Sequence, residues 1–177
     1  LINKLHKRLR DSQFLNRLVS TSATTTADVK FSGNIAQALF DYTMADAIYL
    51  GQKCQGEWII DRSLLRVQFE EPAEDLWHKV ARQKQLVNFI DFSNDYICAM
   101  INLSKFDYIG GIIIFIQKKN ELSSEEKNIL HVAASNIQAQ FIMLKQNEYL
   151  SQISVTDQLS SLNNRRALRE HLSMESE

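Results

Sequence analysis

Cysteine is scarce in this chain. Cys54 and Cys98 are the two in 177 residues, far apart and outside any Cys-x-x-Cys pattern. That excludes a disulfide framework and points to reduced, structural thiols in a cytoplasmic setting. Charge of one sign is missing too. The formal net charge is −1, so no strong global field draws the chain to nucleic acid or anionic lipid. No stretch approaches the roughly 18 apolar residues of a spanning helix. The longest apolar run, Tyr108 to Ile116, is about half that and reads as a buried strand. The residues given show no signal-peptide pattern, no internal repeat, and no low-complexity tract beyond Ser20–Thr26.

What is present is ordinary globular material: 45% apolar and 23% charged residues, enough for a sizeable core. Leu1, Ile2, Leu5, Leu9, Phe14, Leu15, Leu18 and Val19 have helical spacing, with Lys4, Lys7, Arg8, Arg10 and Arg17 between them. This predicts a helix over residues 1–20, ended by the Ser/Thr run. Asp28 or a nearby threonine then caps a second helix through Ile35, Leu39 and Phe40.

After Met44 the pattern turns to strands. Residues 45–50 and 57–61 read as two, joined by a turn over Gly51–Gly56. Residues 64–69 alternate like a third. Pro72 suits a helix's first turn, and Leu76, Trp77, Val80 and Ala81 form that helix's apolar face. Strands follow near 86–90, over 96–103 and over 108–117, with a tight turn at 104–107. Gly110 and Gly111 inside the last strand imply a bulge or a close backbone approach.

Ser123-Ser-Glu-Glu126 is a capping box. No Gly or Pro interrupts the sequence from there to Val155, which predicts a helix on the order of 45 Å long. Leu130, Ala133, Ile137, Phe141 and Leu144 step like a packed seam, and Tyr149, Leu150 and Ile153 continue an apolar face. A helix longer than its own sheet implies a homodimer through the long helices. Helix, helix, three strands, helix, strands and long helix, with short turns, give an α+β class: an antiparallel sheet flanked by helices.

The closing residues carry a more specific pattern. Thr156, Asp157, Leu159, Leu162, Asn164, Arg165 and Arg166 follow Thr-Asp-x-Leu-Thr-Gly-Leu-x-Asn-Arg-Arg, with Ser160 and Ser161 where Thr and Gly are usual. This resembles the opening of the GGDEF domain of diguanylate cyclases. The order of elements before it resembles a GAF sensory domain; a PAS domain is the rival, but three strands before Pro72 suit GAF better. The resemblances divide the chain into an N-terminal helix (1–20), a GAF-like domain (21–150, its last helix reaching about 155) and the truncated start of a GGDEF domain (156–177). Leu1 in place of Met fits a piece of a longer protein.

These likenesses imply a regulatory module that relays a signal, or a dimerisation state, to a downstream domain making cyclic di-GMP from GTP with Mg. The Gly-Gly-Asp/Glu-Glu-Phe loop and the acidic magnesium ligands are absent from this chain, so it is expected to be no enzyme by itself and to hold no cofactor. A non-sensing dimerisation scaffold and a GAF-fold enzyme are the alternatives. Neither cysteine has the His neighbour of bilin-binding GAF domains, nor the close pairing of a free-methionine sulfoxide reductase. The Asn-Lys-x-x-x-Phe-x-x-x-Asp-Glu pattern of cyclic-nucleotide-binding GAF domains has no match. His6, His78, His131 and His171 are scattered without metal-ligand spacing. A small-molecule pocket is expected between the Pro72–Lys84 helix, the 89–96 loop and the central strands. Its candidate residues are Trp77, His78, Phe92 and Tyr96, with Trp58 either at its wall or in the core. The candidate dimer seam is Leu130, Ile137, Phe141 and Leu144.

Overall fold

The computed structural model describes residues 2–24, 28–103, 110–117 and 122–174. The chain divides into two compact units, residues 1–140 and 141–177. The first contains α1 (Ile2–Thr24), α2 (Asp28–Thr43), β1 (Ala47–Cys54), β2 (Glu57–Leu65), α3 (Glu74–Arg82), β3 (Val87–Asp91), β4 (Tyr96–Asn102) and β5 (Gly110–Gln117). It also contains the first part of α4 (Ser124–Met174). The five strands form one antiparallel sheet in the order β2-β1-β5-β4-β3. The α+β architecture expected from the sequence is the one found.

Alternation along the strands sorts the core into two faces. Tyr49, Ile113 and Met100 lie side by side across β1, β5 and β4, as do Ala47, Phe115 and Cys98. These residues join Leu76, Trp77 and Val80 of α3 in one buried cluster. The intervening row, Ile48, Ile114, Ala99 and Phe89, points the other way. There α2 contacts β1 and β2, and α4 brings His131 to 6.0 Å and Lys127 to 5.5 Å from the Phe89 ring. Within this unit Lys7 pairs with Glu125 at 2.8 Å, Arg10 with Glu126 at 3.8 Å, and the Gln140 side chain donates to the Leu18 carbonyl at 2.9 Å. The contacts climb together in residue number, so α1 and this part of α4 run parallel.

Several local expectations change. The hairpin turn is Gln55-Gly56 alone, because both residues adopt positive φ (52° and 97°), the geometry that lets two residues reverse a twisted ladder. β1 therefore runs on to Cys54. No third strand covers 64–69; β2 ends at Leu65, opposite the first residue of β1, with one further backbone bond from Arg66 N–H to the Asp46 carbonyl at 2.8 Å. Arg66 then turns its side chain to the carbonyls of Ala45 and Phe40, both at 2.9 Å, and draws the chain off the sheet. Pro72 stands outside α3, whose N-cap is Ala73. α1 continues through the Ser/Thr run to Thr24, and α2 opens at Asp28. The expected turn at 104–107, and Tyr108 and Ile109, lie outside the described residues.

The capping box forms as read. Glu126 N–H donates to Ser123 Oγ at 3.3 Å, and Ser123 N–H returns to Glu126 Oε2 at 3.2 Å. α4 then passes the position where a new element was expected at Thr156 and continues to Met174. With neither Gly nor Pro after Gly111, nothing in the sequence breaks it. Leu130, Ala133 and Ile137 are buried within the chain at 1%, 0% and 0% exposure. Leu130 and Ile137 are thus core residues, not members of an interchain seam. Heptad-like spacing marks a buried stripe without saying whether its cover is the same chain or another.

The second unit, described by itself, is the α4 stretch from Phe141 onward. Phe141 and Leu144 are half-buried, whereas Met143, Tyr149, Leu150 and Ile153 are exposed. No described helix is long and apolar enough to cross a membrane.

Candidate functional site

The α3 face is shaped by two glycines. Gly51 of β1 pairs with Gly111 of β5 in the centre of the sheet. A Cβ on Gly51 would meet the Trp77 ring at 2.7 Å, and one on Gly111 would meet Val80 Cγ1 at 2.9 Å. The close approach expected at Gly110–Gly111 is therefore made by α3, with no bulge in the β1–β5 register. The sheet's irregularity lies elsewhere, at Leu50/Gly51 against β2, where Arg62 and then Ile60 are the partners. This slip of one residue in β2 sends Trp58 and Ile60 toward the α3 cluster. Trp58 stacks on Trp77 with centroids 5.2 Å apart.

The segment between β2 and α3 forms a strap over the same face. Buried Tyr49 holds it, its hydroxyl set 3.2 Å from both the Phe69 and Glu70 carbonyls. Burial, with Glu71 nearby, raises the Tyr49 pKa and keeps that donor protonated. Phe69 is set among Phe115 at 4.6 Å, Tyr96 at 5.1 Å and Phe92 at 6.4 Å. At the far end of α3, the Asn102 amide donates to the Gln83 carbonyl at 3.0 Å. Acidic Glu74 and Asp75 in the first turn and basic Lys79 and Arg82 in the last complement the helix dipole.

Two cavities flank the strap. The larger, about 680 Å³, is lined by Glu57, Trp58, Ile60, Glu71, Glu74 and Trp77, with Ile59 and Pro72. The smaller, about 380 Å³, lies against Phe69, Glu70, Glu71, Leu76, Phe92 and Phe115. Glu71 and Pro72 belong to both. These volumes suit small molecules.

Of the residues expected at a pocket, Trp77 lines the larger cavity and Phe92 the smaller. His78 and Tyr96 line neither. His78 sits one helical turn from Glu74, with Nε2 3.4 Å from the carboxylate. Tyr96 packs edge-on to Phe69, and burial followed by nearby Asp46 raises its pKa. The sequence reading missed Phe69, Phe115 and the glutamates. Phe69 falls in the 64–69 alternation that reads as a strand, and Phe115 sits in an apolar run where any aromatic reads as core. The one available signal was Glu70-Glu71 immediately before Pro72, acidic residues in a stretch that had to turn.

Cys98 is 0% exposed, and burial pushes its thiol up to about 12. It is no thiolate nucleophile at neutral pH. Among the described residues no group of three or more His, Cys, Asp or Glu is placed to hold a metal ion.

The sequence matches no protein-family model and no curated protein. The fold has many counterparts among solved structures. A GAF domain from a protein assigned as a sensor histidine kinase of Pseudomonas syringae pv. tomato superposes with a TM-score of 0.61 at 10% identity, over 86% of this chain and 98% of that one. This chain has a GAF-like fold. The GAF domain of a phosphoenolpyruvate-protein phosphotransferase from Coxiella burnetii gives 0.58 at 14% identity, covering 80% and 98%. Free methionine-R-sulfoxide reductase from Neisseria meningitidis, solved with its substrate, also gives 0.58, at 13% identity over 77% and 91%. Identities this low establish the GAF-like fold alone.

Proposed function

We propose that this chain is the sensory and regulatory part of a diguanylate cyclase. It binds a small molecule under α3 and relays that event, or a change in dimer geometry, along α4 to a downstream GGDEF domain. That domain would condense GTP to cyclic di-GMP with Mg, in the cytoplasm. The observation that carries the reading is the helix itself. α4 caps the GAF-like sheet at its start and runs 51 residues, through the Thr156–Arg166 pattern. Solved GAF domains from a histidine kinase and a phosphotransferase support a regulatory role for such a module.

Exposed Met143, Leu150 and Ile153 step by 7 and 3 along α4, and a second copy of the same helix is the proposed cover. Two cyclase domains held on paired helices respond to any change in helix register that a ligand favours, provided the ligand binds one state better. The test is the gene beyond Glu177. The reading predicts a Gly-Gly-Asp/Glu-Glu-Phe loop downstream, and cyclic di-GMP from GTP and Mg by the full-length protein, with none from residues 1–177 alone. A gene that continues into a different domain would overturn the cyclase assignment.

A further inference from the structure

We propose that the cleft under α3 takes a small organic cation, an alkylated ammonium with an apolar body, and turns away nucleotides and other anions. This rests on the sensory reading above and narrows it to a ligand class.

The lining residues carry the argument. Four are charged, and all four are glutamates: Glu57, Glu71 and Glu74 around the larger cavity, Glu70 and Glu71 around the smaller. No Lys, Arg or His is among the residues lining either one. A phosphate placed there meets carboxylates and finds no cationic partner. An ammonium meets the opposite.

The apolar walls favour the same ligand. Trp58 and Trp77 stand beside the glutamates in the larger cavity, and Phe69, Phe92 and Phe115 in the smaller. An aromatic face carries negative charge density and attracts a cation set over it, most strongly for tryptophan. An alkylated ammonium can use ring faces and carboxylates together, because its charge is spread over methyl groups that pack as hydrocarbon.

Two nearby cations do not reverse the balance. Lys53 stands opposite Trp58 in the β1–β2 register and is not part of the lining. His78, when protonated, pairs with Glu74 and occupies that carboxylate. Glu71, exposed and common to both cavities, is therefore the residue to test.

Trp58 and Trp77 are the only tryptophans in the chain, and both line the larger cavity, so intrinsic emission reports on it directly. The probes are choline, benzyltrimethylammonium, the uncharged choline isostere 3,3-dimethylbutan-1-ol, and cyclic GMP. We expect a saturable emission change with at least one of the two cations. The isostere should bind about tenfold or more weakly than choline or not at all, and cyclic GMP should give no saturation. Glu71→Gln should weaken the cation about tenfold, and Glu71→Lys should abolish the response, with thermal melting unchanged in both. Equal affinity for the isostere, or saturation by cyclic GMP, would overturn the cationic class and leave a ligand-binding module standing. No saturation by any probe, in protein that melts cooperatively, would overturn the ligand class and ligand sensing together.

Discussion

The two faces of the sheet use alternate residues of the same strands and are finished in different ways. The face covered by α2 and α4 is made of Ile48, Ile112, Ile114, Ile116, Ile101 and Ala99, all at 1% exposure or less. Leu39, Leu130, Ala133, Ala134 and Ile137, at 1% or less, are the matching helix positions. Branched aliphatics face each other from both sides, the packing that suits a dense core. The α3 face is aromatic and is floored by two glycines. Its cover is one nine-residue helix and a strap, so both flanks stay open as cavities. The difference is one of finish within one small sheet: one face is lined by buried aliphatic side chains, the other is covered by a short helix and a strap with a cavity on either flank.

A charge buried in the closed face should do the greatest damage. Ile137→Glu places a carboxylate at a fully buried site, and we expect a loss of at least about 4 kcal/mol, read by urea denaturation. The analogous change at exposed Leu150 should leave unfolding nearly unaltered and lower only the self-association measured by sedimentation. Equal stability losses at the two sites would erase the distinction between core stripe and exposed stripe.

Next in size is a test of the α3 face. Gly51→Ala drives a methyl toward the Trp77 ring, and we expect about 1–3 kcal/mol of destabilisation with a shift in tryptophan emission as α3 is lifted. An unshifted spectrum would mean that α3 does not rest on the glycine floor.

The smallest effect belongs to the periphery. Arg17 donates to Asp41 at 2.8 Å and, with Gln37, holds that carboxyl below its usual range. A depressed folded pKa contributes stability above the unfolded value of about 4, lost as pH falls through the lower folded value. Both side chains are about half exposed, so the contribution stays under about 1 kcal/mol. Asp41→Asn should therefore shift stability at pH 7 slightly, and at pH 2 scarcely at all.

Much of the fold was legible in the sequence because single residues enforce it. The capping box fixed the start of α4, Leu76, Trp77 and Val80 fixed the buried face of α3, and the apolar runs gave β4 and β5. Other features were hidden because they depend on partners distant in sequence. Residues 64–69 alternate like a strand, yet β1 begins at Ala47, the last backbone bond is from Arg66 N–H to the Asp46 carbonyl, and the Arg66 side chain turns to the carbonyls of Ala45 and of Phe40 on α2. Leu130 and Ile137 have seam spacing, but it is the isoleucine face of the sheet that decides what covers them. The site was half visible. Trp77 and Phe92 stood out as aromatics near a helix, whereas the role of Phe69 follows from the hydroxyl of Tyr49, twenty residues earlier.

The claim that one face is closed and the other is open is tested most directly by hydrogen exchange with and without a bound cation, followed peptide by peptide. The account predicts added protection in residues 57–60 and 68–77, where the cavities lie, and no change across residues 130–137 of α4. Protection gained at the α4 face, or spread evenly over both faces, would contradict it.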